Sequence, residues 1–403
     1  MNVLLSAYAC APGKGSDPEI GWNWMQQLAR LYDVWVITRT KNRPAIEEGL
    51  RREPAPRARF VYLDLPRPML FWKKWPGGVY LYYYIWQVLA YFKARTLHRE
   101  AAFARVHHVT FCMYWLPSFM ALLPVPFVWG PVGGGESIPA SFRTALGWRA
   151  RIYELLRDSA RLYAKFDPAV RMTARRAALA LATTPETAAC LIALGCKRVR
   201  ILTCVGVSGE HPLACEERNC RDAERFQMFS AGRLLHWKGF DLALRAIARI
   251  QEKGAHLEYN IFGSGPERAS LQQLAAELGI ASRVHFHDSI PREQLLRRMR
   301  DFDALLHPSL HDSGAFACIE AMSAGCAVIC LDLGGPALQV TEHTGIKVPA
   351  HSPEQAIRDL ATAIETLAGN IDLRRRLERG AMERVRAFAW EDKLERLELW
   401  ARS

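Results

Sequence analysis

The chain has 403 residues, half of them apolar and 23% charged, with no low-complexity tract. That excludes a disordered or fibrous protein and exceeds the size at which one hydrophobic core keeps growing, so two domains of about 200 residues each are expected. Fifty-three Lys+Arg against 41 Asp+Glu leave a net charge of +12, which favours anionic partners such as nucleotide diphosphates, phospholipid headgroups or nucleic acid.

Met1-Asn-Val-Leu-Leu-Ser-Ala-Tyr has no basic n-region and runs at once into a strand pattern. No signal peptide is expected, and the reading is a cytoplasmic protein. Short β-rich runs then alternate with helical stretches: Val3–Ala7, Val34–Thr38, Phe60–Leu63, Val106–Val109, Phe127–Trp129, Leu179–Thr183 and Val199–Thr203. The aromatic stretch from Gly77 to Phe92 falls short of the roughly 20 apolar residues of a spanning helix and reads as a buried core helix. After a polar, Glu- and Cys-containing stretch around Ser208–Asp222 the alternation restarts, with Phe226–Ser230, Leu257–Phe262, Val284–Phe286, Ala304–Leu306, Ala327–Cys330 and Ile346–Val348.

Two Rossmann-like α/β domains facing across a cleft are therefore expected, residues 1–206 and 207–380, with residues 381–403 returning to the first. In open parallel sheets ligands bind at the carboxyl ends of the strands, so function belongs in the loops that follow them. The ten cysteines include no C-x-x-C pair; Cys10, Cys112, Cys318, Cys326 and Cys330 lie in apolar runs and read as small buried hydrophobes.

Three loops of the second half carry chemistry. In His307-Pro-Ser-Leu-His-Asp-Ser-Gly-Ala-Phe-Ala-Cys-Ile-Glu a strand gives way to a small-residue loop and then a helix. The backbone N–H groups of Gly314, Ala315 and Phe316 at that helix start are suited to a phosphate. Glu320, in the first turns, is suited to a vicinal diol such as a ribose, and Asp312 lies eight positions earlier. In Gly232-Arg-Leu-Leu-His-Trp-Lys-Gly the cations Arg233 and Lys238 stand at a helix start, where the macrodipole disfavours them unless an anion is near. In Phe262-Gly-Ser-Gly-Pro-Glu, Gly263 and Gly265 form a short turn.

In this combination the chain resembles the retaining GT-B glycosyltransferases of family 4, the group 1 transferases. Asp312 and Glu320 look like that family's E-x7-E pair, with Asp one methylene shorter at the first position. The resemblance implies that Glu320 holds the donor ribose and Asp312 approaches the donor sugar. It further implies that Arg233 and Lys238 grip the donor diphosphate in place of a divalent metal. Gly263 and Gly265 would lie near the diphosphate, and the strand exit at Phe286 and His287 would pass the nucleobase. No metal or other cofactor is expected; a nucleoside-diphosphate sugar is the co-substrate.

In the first half, Gly13 and Gly15 follow the first strand and correspond to the family's loop beside the donor phosphates and the acceptor. Gly130-Pro-Val-Gly-Gly-Gly-Glu136 follows another strand and is expected to face the cleft. His107 or His108, with His108 favoured, resembles the strand-end histidine near the reacting sugar; a core histidine bonded to backbone is the alternative.

No G-x-S-x-G, H-E-x-x-H or Walker P-loop is present, which leaves nucleophilic and metal-hydrolase chemistry without support. The expected activity is sugar transfer to an acceptor hydroxyl, with retention, in cell-surface polysaccharide or glycolipid assembly. A GT-B sugar-nucleotide 2-epimerase and a non-catalytic basic binding module are the alternatives. The acceptor is expected to be a glycan or a lipid-linked glycan, and nucleic acid is not expected as a partner. The aromatic segment Leu70–Phe92 with its Trp72-Lys-Lys-Trp75 cluster suggests peripheral docking on an anionic inner membrane.

Overall fold

Runs of Val, Ile, Leu and Phe that are apolar on both faces build central parallel strands, because helices must cover both sides of such a sheet. The computed structural model describes residues 1–66, 77–207, 225–250 and 256–402. The polar stretch 208–222 and the Trp72–Trp75 cluster lie outside the described residues. So does the start of the aromatic segment at Leu70.

The first sheet holds β1 (Asn2–Ser6), β2 (Asp33–Thr38), β3 (Ala58–Tyr62), β4 (Arg105–His108), β5 (Phe127–Val132), β6 (Ala177–Ala182) and β7 (Val199–Ile201). The second holds β8 (Arg225–Ala231), β9 (His256–Phe262), β10 (Val284–His287), β11 (Ala304–His307), β12 (Ala327–Leu331) and β13 (Gly345–Val348). All strand pairs in both sheets are parallel, in the orders β3-β2-β1-β4-β5-β6-β7 and β10-β9-β8-β11-β12-β13. Each order reverses once, between β1 and β4 and between β8 and β11. At such a switch point the loops leave their strands in opposite directions and open a crevice.

The chain divides into two compact units. The first comprises Met1–Gly135, Leu155–Cys204 and Trp390–Ser403; the second comprises Glu136–Glu154 and Val205–Ala389. Two boundaries thus differ from the sequence reading. Residues 136–154 belong to the second unit because Ile138 and Phe142 are buried in its core. The final return begins at Trp390 rather than 381, since the helix Ile371–Val385 buries Leu377, Ala381 and Val385 in the second unit.

What anchors the last helix, Trp390–Arg402, is explicit. Trp390 packs edge-on against Trp24 at 5.8 Å, and Leu394 and Leu397 are buried. Fully burying each such side chain contributes about 1.5–3 kcal/mol. Glu398 closes the join, with one carboxylate oxygen 2.7 Å from Arg105 Nη2 and the other accepting from Tyr32 Oη.

The aromatic stretch forms the helix Gly78–Ala101, which buries Tyr82, Tyr83, Trp86, Ala90, Ala94 and Leu97. Among the described residues no helix is long and apolar enough to cross a membrane. The eight described cysteines are free thiols, and Cys10, Cys112, Cys318, Cys326 and Cys330 are buried.

Candidate functional site

The two loops flanking the β8/β11 switch point meet side chain to side chain. After β8 the chain runs through Arg233 to a single 3-10 turn, His236–Lys238, and enters the helix Phe240–Arg249 through Gly239. Gly239 has φ 66°, and a Cβ there would lie 2.0 Å from the carbonyl oxygen of Pro308. Only glycine lets the two loops approach this closely. Leu310 N–H donates to Trp237 O at 2.8 Å and fastens them further.

Lys238 Nζ lies 2.5 Å from Asp312 Oδ2, with His307 Nε2 3.3 Å from the same oxygen. Burial alone would raise the Asp312 pKa, but Lys238 and His307 outweigh it and hold the carboxyl well below the usual range. His307 is itself kept below its ordinary value, chiefly by burial and also by Lys238, with Asp312 partly offsetting them. The result is a fixed carboxylate beside a fixed ammonium and a neutral imidazole. Arg233 stands exposed in the same loop.

An aromatic stack supports the turn. Trp237 lies between Tyr153, at 5.1 Å and 17°, and His311, at 5.3 Å and 15°. His236 Nε2 lies 3.0 Å from the buried Glu154 carboxylate, on the helix that also carries Tyr153.

Several expectations are revised by this geometry. The N–H groups of Gly314 and Ala315 are not open to a phosphate here, because both donate to Asp312 Oδ1, at 3.3 and 3.1 Å. A short Asp side chain can fold back on its own loop in this way. Ala315 is the left-handed residue just before the helix, and Phe316 is that helix's first residue. Glu320 points from the second turn toward Arg292, whose Nε is 2.7 Å from Oε1, so one of its oxygens is already engaged.

Gly263 and Gly265 serve loop packing: a Cβ at either would fall 1.9 Å from Gly232 O or 2.3 Å from Leu234 O. The turn they form is thereby clamped to the Arg233 loop. Phe286 packs against the core, and the His287 ring stacks on Phe262 at 4.5 Å while Nε2 meets Asn260 Oδ1 at 2.7 Å.

Two partners were missed in the sequence, Arg292 and His307. Glu136, the last residue of the glycine-rich loop, is buried in the second unit and accepts from Ser313 Oγ at 2.5 Å. Arg292 opens a helix remote from the charged loops in the chain and His307 ends an apolar strand, so neither spacing nor composition flags them.

In the first unit Gly13 and Gly15 lie in the loop between β1 and the helix Ser16–Leu31, as expected from their place in the sequence. His108, however, is a core residue. Its Nδ1 meets Ser6 Oγ and its Nε2 meets Tyr83 Oη, both at 2.9 Å, so neither ring nitrogen is open to a sugar. Burial pushes its pKa down to about 3, and that of His107, bonded to Gly130 O, to about 3 as well.

Asp17, in the first turn of the Ser16–Leu31 helix, escaped the sequence reading. Burial raises its pKa to about 6, against a hydrogen bond from the Phe111 backbone.

Two Rossmann-like α/β units with a charged loop cluster at a switch point define the GT-B fold class. Likeness to solved structures supports this. Sucrose-phosphate synthase from Thermosynechococcus elongatus matches with a TM-score of 0.67 at 20% identity, over 100% of this chain and 98% of that one. Anabaena Alr3699/HepE, solved in complex with UDP and glucose, matches with a TM-score of 0.63 at 15% identity, over 99% and 98%.

Within the class, residues 216–384 match the family described as glycosyl transferases group 1. The D-inositol 3-phosphate glycosyltransferase of Streptomyces bingchenggensis (strain BCW-1) is 32% identical over 173 residues, 40% of this chain and 37% of that protein. The 2-deoxystreptamine glucosyltransferase of Streptomyces kanamyceticus is 34% identical over 104 residues, 26% of this chain and 27% of its own length. The chain thus aligns with well under half the length of these curated relatives.

Proposed function

We propose that the protein is a retaining glycosyltransferase of family 4 that moves a sugar from a nucleoside-diphosphate sugar to an acceptor hydroxyl. The observation that carries this reading is the Lys238–Asp312 pair at the β8/β11 switch point, with Arg233 exposed on the same loop. An ammonium held by a deep-lying carboxylate is fixed in place before any ligand arrives. When the bond between sugar and diphosphate breaks, negative charge grows on the departing phosphate, and cations already in place stabilise it without reorganising. Arg233 adds a planar fork suited to two phosphate oxygens, and together the two cations take the place of a divalent metal.

Asp312, ionised throughout the ordinary pH range, approaches the donor sugar while it holds Lys238 in place for the phosphate. Glu320 keeps one carboxylate oxygen for a ribose diol while Arg292 orients the other. His108 has no part in the transfer. The retaining course, a glycan or lipid-linked acceptor, a role in cell-surface polysaccharide or glycolipid assembly, and work at the cytoplasmic face of an anionic membrane all belong to this reading. The net charge of +12 supports the last.

A thermal-shift screen against UDP, GDP, ADP and their sugars tests the reading. A ligand at about 100 times its Kd stabilises the folded state by about 2.7 kcal/mol, so one nucleotide series should raise Tm clearly. If none of them does, the reading fails. If a donor is converted without an acceptor, the activity is epimerisation instead.

A further inference from the structure

The helix Trp148–Ala164 and the turn after it present an apolar face to solvent along the stretch that belongs to the first unit. Leu155, Leu156, Leu162 and Tyr163, with Phe166 in the turn, are each between 57% and 71% exposed. At 100° per residue the four helical positions fall on one arc of about 120°, with only Ser159 among them, and Phe166 follows in the turn. The opposite face is polar and packs inward. Arg161 donates to Tyr114 Oη at 3.0 Å and to Gly135 O at 2.7 Å, and the Arg157 guanidinium lies over the Trp115 ring at 5.8 Å.

A helix that turns charge inward and Leu, Tyr and Phe outward is inverted relative to the rule for a surface helix. Folding alone gives no reason for it. A contiguous exposed apolar stripe of this kind marks a surface that is covered when the protein works.

The charges around the stripe select what covers it. From Leu155 to Arg176 the cations are Arg157, Arg161, Lys165, Arg171, Arg175 and Arg176, and the acids are Asp158 and Asp167. Asp167 is buried, and Asp158, partly exposed, is neutralised by an ion pair. Asp158 pairs with Arg161 at 3.6 Å, and the buried Asp167 caps the next helix by accepting from Ala169 and Val170 N–H. Lys165, Arg171, Arg175 and Arg176 are exposed. What remains outside is apolar and basic, the complement of a bilayer surface rich in anionic lipid.

The geometry points to the outer face of residues 155–166, together with the exposed cations Lys165, Arg171, Arg175 and Arg176 that follow in this turn and the next helix, as the docking surface for an anionic lipid membrane. Leu155, Leu156, Leu162, Tyr163 and Phe166 insert among the headgroups and upper acyl chains while the cations meet the phosphates. This rests on the membrane part of the reading above and is independent of sugar transfer. It also moves the contact from the Trp72–Trp75 cluster to a different element.

The test is co-sedimentation of the full chain with phosphatidylcholine vesicles containing or lacking phosphatidylglycerol, at low and at raised salt. Binding should require the anionic lipid and weaken with salt. L156E/Y163E/F166E should reduce it tenfold or more, and R171E/R175E severalfold, both with unchanged unfolding temperature because every altered side chain is exposed. W72A/W75A should bind like the parent.

The proposal is overturned if the triple variant binds vesicles as the parent does, or if only W72A/W75A loses binding. It is equally overturned if the parent ignores vesicles while forming dimers that the triple variant abolishes, since a second copy would then cover the stripe. Loss of nucleotide binding with vesicle binding intact would fail the transferase reading alone.

Discussion

The two units share a doubly wound parallel sheet, yet their switch points are chemically opposite. At the β8/β11 point of the second unit charges are paired across loops: Lys238 with Asp312, and nearby Arg292 with Glu320. At the β1/β4 point of the first unit the strand ends carry neutral, buried imidazoles wedged among Ser6, Tyr83, Trp24 and Gly130. The second unit thus holds its charges ready in pairs. The first unit's strand ends are built like core, so recognition there must come from the loops beyond them. Fold symmetry therefore says little about how labour is divided, and the protonation states say more.

The sharpest way to break this contrast is Lys238→Ala. If the second unit's fixed cation stabilises the leaving diphosphate, donor turnover should fall by roughly a hundredfold or more, with the far-ultraviolet circular dichroism unchanged. A rate within a few fold of the parent would remove the charged switch point from the mechanism.

Gly239→Ala asks whether the loops must touch at all. A left-handed alanine costs about 1–3 kcal/mol before its Cβ meets Pro308 O, so Tm should drop by roughly 5 °C or more. Unchanged stability would mean the loops can part, and the Lys238–Asp312 geometry with them.

A third test concerns the first unit and pH. His107 and His108 titrate near 3 when folded, against about 6.5 when unfolded, so over that window the unfolded chain binds more protons. Stability they contribute is complete above pH 6.5 and is lost as pH falls toward 3. Asp17, raised to about 6, and Asp241, also raised by burial, act in the opposite sense, while His287 and His307, both lowered, act in the same sense as the pair. The slope of unfolding free energy between pH 6.5 and 4 should therefore be positive with pH, and shallower in H107N/H108Q. An equal slope in that variant would show the imidazoles to be less buried than their contacts imply.

Much of this was legible beforehand for a definite reason. Parallel strands covered on both faces must be apolar runs separated by polar loops, and each strand segment read from the chain corresponds to an observed strand. Arg233, Lys238 and Asp312 could be singled out as candidates from the sequence because cations before a helix are improbable and because loop residues escape the core's demand for apolarity. His108 misled because a strand-end histidine in an apolar run reads the same whether it faces a ligand or a tyrosine hydroxyl. The acids Glu154 and Asp167 were equally ambiguous: only packing shows that they are turned inward while Leu155, Leu156, Leu162, Tyr163 and Phe166 stay outside.

The sequence by itself determined the two α/β repeats, their parallel sheets and the loops that hold the charge, since periodicity and local backbone preference are written residue by residue. The tertiary structure alone decided which charges pair, which glycines exist for loop contact, which histidines stay neutral, and where residues 136–154 and 390–402 belong. Those outcomes depend on distances between segments far apart in the chain, and burial and Coulomb energy are set by those distances.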